Sequence, residues 1–356
     1  MRSDLAVERE PAPHRGRPRR RRVGGCVGSL ANGLALGLAL PLFVLVWAQA
    51  TDPIGPAPLL IAYVSLPWLL PLALVLLFGL AVLTRARLTT LTAIVLLGVF
   101  VWVHGVDWLP RTPAATASGP HLRVMTFNIG DDRVSVDEVV KLVIAEQPDL
   151  LAIQELNPYS AAALNQQLAV GWPYQALDFN APTTGIFSRL PLSGAQIVET
   201  PGNRPYLRAT IDLNGLPVEV FAMHPMAPEV VFWRSLPIGI NDRRPRSQLV
   251  SAAEAMRAIP GASVMLGDFN MSDQSPGYRD VTRGLRDAFV EAGTGPGFTW
   301  PVANTRNTLS RWDMPWPLVR IDYILHSDAI EALAASVSCV SDSDHCYVVA
   351  DLALRP

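Results

Sequence analysis

The sequence predicts an α/β domain carried by three membrane-spanning helices, and three observations lead there. Three long apolar runs occupy the first third of the chain. From His121 onward, short β-rich runs alternate with helical stretches, the pattern of an α/β domain. The formal net charge of −2 over 356 residues hides two unlike parts. Residues 1–119 carry 11 Arg against 5 acids, hence +6, and residues 120–356 carry 18 basic residues against 26 acids, hence −8. With 50% hydrophobic and 17% charged residues, whole-chain disorder and fibrous architectures are excluded. Neither part is a strongly basic nucleic-acid binder.

Residues 1–22 read as a basic cytoplasmic tail, with six arginines between Arg15 and Arg22. The apolar runs that follow, 23–49, 57–83 and 88–108, are each long enough to cross about 30 Å of hydrocarbon. Asn32, Pro41, Pro67 and Pro71 are tolerable inside them, because neighbouring helices can satisfy freed backbone groups. A cleaved signal peptide is disfavoured: the first run exceeds the usual apolar region of about 7 to 15 residues, and two more runs follow. Three spans without intramembrane charge suit an anchor rather than a transporter. Arginine placement puts Arg15–Arg22 and the Arg85/Arg87 pair on the cytoplasmic side, so the third helix delivers the rest of a multi-pass protein outside the cytoplasm. Residues 109–120, containing PRTPAATASGP, read as an extended linker.

Residues 121–356 then form one domain. Strands are expected at Leu122–Ile129, Asp149–Glu155, Thr184–Leu190, Tyr206–Leu213, Leu216–His224 and Ala262–Asn270, and again at Val319–His326, Ala334–Val340 and Cys346–Leu354, about ten in all. Helices are expected at Val136–Gln147 and Arg246–Ile259.

Polar residues cluster where these apolar strands end. Asn128, Gln154, Glu155, His224, Asp268 and Asn270 do so, Asp322 lies within RIDYI, and Asp344 and His345 adjoin in SDSDH. A single strand-end Asn or Asp is an ordinary turn former or helix cap; the whole set points to a shared cleft. With three cysteines in the chain, a cysteine zinc site is unsupported. Carboxylate and amide oxygens suit a hard ion, Mg²⁺ or Mn²⁺, which would stabilise charge in a phosphoryl displacement.

The ordered series MTFNI, IQE, GIFSRLPL, HPMAP, GDFN, RIDYI and SDH resembles the signature of the endonuclease/exonuclease/phosphatase superfamily, the deoxyribonuclease-like Mg²⁺-dependent phosphoesterases. The resemblance covers residues 121–356 and none of the membrane block. It implies an α/β (α+β) four-layered sandwich, two mixed β-sheets flanked by helices. It further implies that Glu155 is the principal metal ligand, with Asn128 beside it and Asp344 completing the site. Asp268 and Asn270 would orient the attacking water and hold the phosphate. His345 would be the catalytic histidine, oriented by Asp322, and His224 would contact the phosphate from the other side. The general base is either Asp268 or His345, with Asp268 preferred.

Ser188, Arg189 and Gln248 are expected to serve the scaffold. Arg320 shares the alternation of Asp322 and is either a structural ion-pair partner or a phosphate contact. Cys339 and Cys346, flanking a loop between two strands, are placed for a disulfide that would brace Asp344 and His345. The substrate is a phosphoester: nucleic acid, phospholipid or a small phosphodiester. A charge of −8 weakens non-specific duplex binding, and nothing calls for an obligate protein partner beyond the lipid bilayer. The alternatives are a catalytically inactive membrane-anchored binding module and a phospholipid head-group phosphodiesterase in place of a nuclease.

Overall fold

The computed structural model describes residues 20–51, 57–105, 119–131, 133–178, 184–302, 316–340 and 342–355. The basic tail up to Arg19, the end of the third expected span and the linker up to Ser118 lie outside the described residues. Three helices open the chain: α1 (Arg20–Thr51), α2 (Ala57–Thr84) and α3 (Arg87–His104). All three are long and apolar enough to cross a membrane. Asn32 on α1 accepts from both the backbone N–H and the hydroxyl of Thr89 on α3, each at 3.0 Å. A neighbouring helix thus satisfies this amide inside the span. By contacts the chain forms two compact units, one of Met1–Phe43 with Leu70–Val99, the other of Val44–Leu69 with Phe100–Pro356.

The second unit contains the α/β domain. Its elements are β1 (His121–Asn128), α4 (Val136–Glu146), β2 (Leu150–Gln154), α5 (Pro158–Leu168), β3 (Tyr174–Asp178), β4 (Thr184–Ser188), β5 (Leu192–Val198), β6 (Tyr206–Leu213) and β7 (Leu216–Met223). A hairpin of β8 (Glu229–Trp233) and β9 (Leu236–Asn241) precedes α6 (Arg243–Arg257) and β10 (Ser263–Asp268). The chain closes with α7 (Pro276–Thr282), β11 (Arg286–Asp287), α8 (Ala288–Ala292), β12 (Asp322–His326), β13 (Ile330–Cys339) and β14 (Cys346–Leu354).

Two six-stranded sheets run in the orders β13-β14-β1-β2-β4-β3 and β11-β12-β10-β7-β6-β5. Each is mixed: β1 with β2 and β7 with β10 are parallel, and the remaining ladders are antiparallel. Alternation along the strands builds the layers. Leu122 and Val124 of β1 meet Val220 of β7 and Leu266 of β10 in the core between the sheets. Met125 and Phe127, of the opposite parity, pack against Val139 and Val143 of α4 and Leu164 of α5. Phe221 and Met265 likewise face Leu249, Ala252 and Met256 of α6. The result is helix, sheet, sheet, helix, the four-layered sandwich expected.

Local signals explain the boundaries. Helix α4 starts where Ser135 caps Glu138 N–H, with Asp137 and Glu138 in its first turn, and stops at Gln147 in the left-handed region. Helix α6 begins earlier than the expected Arg246, because Pro245 is tolerated in a first turn whose N–H groups have no helical partner. Strand β12 begins at Asp322 rather than Val319, since Val319 pairs with Trp300 instead. Fourteen strands are described against the ten expected. Cys339 and Cys346 face each other across the β13–β14 ladder and form the expected disulfide.

Candidate active site

The period of two along each strand decides which side chains enter the space between the sheets. The parity of Leu122 and Val124 leads to Asn128 at the end of β1, and that of Val218 and Val220 leads to His224 just past β7. Val264 and Leu266 lead to Asp268, and Asp322 shares its face with Ile324. Asp268 and Asp322 are direct partners across the β10–β12 ladder. Gly267 lies at φ +147°, and a Cβ there would sit 2.0 Å from the Met223 carbonyl oxygen. Glycine is therefore what lets β10 run tight against β7 beside the site.

These side chains converge. Asn128 Nδ2 donates to Asp268 Oδ2 at 3.0 Å and to Glu155 Oε1 at 3.2 Å, bridging the two sheets. His345 Nδ1 lies 2.9 Å from Asp322 Oδ2, and its Nε2 lies 3.7 Å from Asp268 Oδ2. His224 Nε2 is 3.7 Å from both Glu155 Oε1 and Asp268 Oδ2. Asn270 donates its backbone N–H to Asp268 Oδ1 at 2.8 Å and its amide to the Pro225 carbonyl at 3.1 Å. Glu155 (φ +55°) and Asn270 (φ +50°) are both left-handed, a conformation non-glycine residues adopt at a cost and one that gathers at functional sites.

His224, Asp268, Asp322 and His345 are buried, whereas the Glu155 side chain is 39% exposed and opens the group to solvent. Burial opposes a charge on His345, but Asp322 and Asp268 outweigh it and push its pKa up to about 10. Burial raises the Asp268 carboxyl to about 7 against the pull of His345. Burial, with Arg204 and His345 adding to it, lowers His224 to about 3, so that ring is neutral. The centre therefore pairs a charged imidazole with a neutral one around a shared carboxylate.

The donor set fits a hard divalent cation: carboxylate and amide oxygens with imidazole and no thiolate. Asp268, Asp322 and His345 offer ligand atoms within 4.8 Å of one another. Asp322 Oδ1 is buried with no hydrogen-bond partner among the described residues. Of the three residues expected to hold the metal, Glu155 faces the cleft and Asp344 lines it while paired to Arg133 at 2.6 Å. Asn128 turns its amide nitrogen to the carboxylates, and its oxygen accepts from Gly130 N–H at 3.0 Å. In this orientation it positions the carboxylates.

Four contributors escaped the sequence reading. Arg133 and Arg204 line the cleft, and Arg204 interacts with Glu155 and Asp268; each is an isolated arginine in a loop. Ser343, inside the SDSDH run, donates to the Asn128 carbonyl at 2.8 Å and accepts from His345 N–H at 2.9 Å, tying the histidine loop to β1. Thr299 accepts from the N–H groups of Ile321 and Asp322. The expected scaffold residues behave as such. Ser188 bonds to Leu190, Arg189 stacks on Trp172, and Gln248 joins Pro201 to Met226. Arg320 does not share the face of Asp322. It precedes β12, lies over the Tyr323 ring, and is buried in ion pairs with Asp287 at 2.8 Å and Asp273 at 3.4 Å.

Among proteins of curated function, none matches this chain. Several solved structures share the fold. The endonuclease/exonuclease/phosphatase from Beutenbergia cavernae is 23% identical with a TM-score of 0.53, over 66% of this chain and 72% of that one. D. rerio TDP2, complexed with a single-strand DNA product, is 17% identical with a TM-score of 0.51, over 65% and 98%. A family protein from Bacteroides thetaiotaomicron is 15% identical with a TM-score of 0.52, over 67% and 100%. Residues 125–345 match the model of the Endonuclease/Exonuclease/phosphatase family. That span runs from within β1 to His345 and takes in every converging side chain described above, and the chain belongs to this family.

Proposed function

We propose that the protein is a membrane-anchored, divalent-metal-dependent phosphodiesterase that hydrolyses a phosphate ester by in-line attack of activated water. The family's members are generally hydrolases of phosphate esters. The observation that carries the reading is the meeting of both sheets at one group: Asn128 and Glu155 from the first, with His224, Asp268 and Asp322 from the second, and His345 between them.

A cation held by Glu155 and Asp344, with Asn128 positioning the carboxylates, would supply Lewis-acid stabilisation of the charge on the phosphate. Asp268, fixed by Asn270 N–H and the Asn128 amide, accepts the proton of the attacking water. His345, held charged by Asp322, presents its Nε2–H to a phosphate oxygen, an interaction that strengthens as negative charge develops. Neutral His224 faces the phosphate from the other side, and the Arg204 guanidinium adds positive charge to the wall.

Bis-p-nitrophenyl phosphate tests the reading. The full-length protein in detergent should release nitrophenol with Mg²⁺ or Mn²⁺ and stop on chelation. His345→Ala and Glu155→Ala should each lower turnover by about 10²-fold or more, the scale of a positioned acid–base group. Turnover without metal, or turnover indifferent to both substitutions, would refute it.

A further inference from the structure

The cleft that holds the candidate active site has a volume of about 600 Å³ and a lining of two chemical kinds. Glu155, His224, Asp268 and His345 are polar. Leu60 and Val64 of α2, with Val230, Phe232 and Ile240 of the β8–β9 hairpin, are apolar. The hairpin is itself unusual for a soluble surface: Phe232, Trp233, Leu236 and Ile238 are all exposed. Contiguous exposed apolar residues of this kind mark a surface that meets another apolar phase.

Helix lengths say which phase. Helix α2 has 28 residues, about 42 Å at ~1.5 Å per residue, against a hydrocarbon core of about 30 Å. The Arg85/Arg87 pair fixes the far end outside the hydrocarbon, so roughly the first two turns of α2 extend beyond it on the other side. Leu60 and Val64 occupy those turns. Trp68 follows one turn further along, close to the boundary at which tryptophans anchor helices to the membrane interface. It binds the domain at the same place, donating to the Leu318 carbonyl at 2.9 Å with its ring 5.4 Å from that of Phe298. At the end of α1, Gln49 donates to the Gln274 carbonyl at 2.9 Å, and Arg279 donates to the carbonyls of Gln49 and Ala50. The cleft is thereby walled by the emerging end of a membrane helix at head-group level.

We propose that the substrate is a glycerophospholipid of the same bilayer. Its phosphodiester reaches Asp268 and His345, while its glycerol and proximal acyl carbons lie against Leu60, Val64 and Phe232. Trp233 and Leu236 at the hairpin tip dip into the leaflet. This rests on the phosphodiesterase reading and adds the substrate class to it. In the step, the water oxygen forms a bond to phosphorus, the bond from phosphorus to one ester oxygen breaks, and that oxygen takes up a proton. One diester and one water become a phosphate monoester and an alcohol. Nucleic acid is the poorer occupant, because a domain at −8 with an apolar rim offers little to neutralise a run of phosphates.

The test uses the full chain reconstituted into vesicles of phosphatidylethanolamine and phosphatidylglycerol with Mg²⁺, with conversion of diester to monoester followed by phosphorus NMR. Bis-p-nitrophenyl phosphate and single-stranded and duplex DNA are assayed in parallel. The expected result is consumption of phospholipid at least tenfold faster than cleavage of DNA phosphodiesters. The pair Phe232→Asp and Trp233→Asp should lower the ratio of phospholipid to bis-p-nitrophenyl phosphate turnover at least tenfold, and Trp233→Ser alone should move it the same way. Turnover of the soluble diester without lipid monoester, DNA cleavage outpacing lipid, or an unchanged ratio in both variants would each overturn the lipid assignment while leaving the phosphodiesterase reading intact. Loss of all turnover, soluble diester included, would overturn the underlying reading and this inference with it.

Discussion

Asp322 stands opposite Asp268 in the β10–β12 ladder and spends one oxygen on His345 Nδ1. Two buried carboxylates side by side are costly unless a cation lies between them, and the His345 ring, facing both, is that cation in this structure. The carboxylate fixes the tautomer and stabilises the imidazolium, the orienting role a third group plays in catalytic triads. Asp322→Asn keeps the shape and removes the charge. The expected outcome is a fall in kcat on the order of 10²-fold, measured with bis-p-nitrophenyl phosphate. His326→Gln, one strand-length away and outside the cleft, is expected to stay near the parent value. Equal rates in the parent and the Asp322 variant would show that the His345 orientation is set by Ser343 and the loop backbone alone.

At the scale of elements, one side chain links short α8 to three strands. Glu291 receives His326 Nε2 at 3.1 Å, Ala332 N–H at 3.3 Å and the Arg286 guanidinium, so it ties α8 to β11, β12 and β13. Burial alone would raise the Glu291 carboxyl, but His326 and Arg286 outweigh it and hold its pKa down at about 2, against an ordinary 4.5. A depressed carboxylate contributes stability that is fully present above the unfolded value and is lost as pH falls through the folded one. Glu291→Gln should therefore be less stable than the parent at neutral pH, and the gap should close between pH 4.5 and about 2. Thermal unfolding across that range checks it; a constant gap would mean that packing, not charge, is what Glu291 supplies. Neither α8 nor α7 was legible in the sequence, because five and seven residues are too few to show a helical period. The β8–β9 hairpin was hidden for a different reason: EVVFW and LPIGIN do not alternate apolar with polar residues. Strands β1, β7, β10 and β12 were legible as short apolar runs because both faces are buried, one between the sheets and the other under helices, and the parity of the inner face carried Asn128, His224, Asp268 and Asp322 to the site. Arg204 and Thr299 were not, because their roles depend on where a loop returns in space.

For the whole molecule, the uneven charge distribution and the disulfide make one joint prediction about sidedness. Lys and Arg are retained on the cytoplasmic side of membrane helices, and two helices separate Arg15–Arg22 from Arg85/Arg87, so both clusters can lie there together. One further helix, α3, then places the domain on the opposite face. The Cys339–Cys346 disulfide, which joins the last residue of β13 to the first of β14, next to His345 in the chain, belongs to an oxidising compartment and favours the same side. An even number of crossings would instead leave the domain in the cytoplasm, where a cross-strand pair with Cys339 exposed would be kept reduced. Protease added to right-side-out membrane vesicles should degrade the domain from Gly119 onward and spare an epitope placed before Arg15. Under non-reducing conditions, thiol labelling of the unfolded chain should modify Cys26 and neither Cys339 nor Cys346. A protected domain with two labelled cysteines would invert the topology, and the phospholipid reached by the cleft would then be that of the cytoplasmic leaflet.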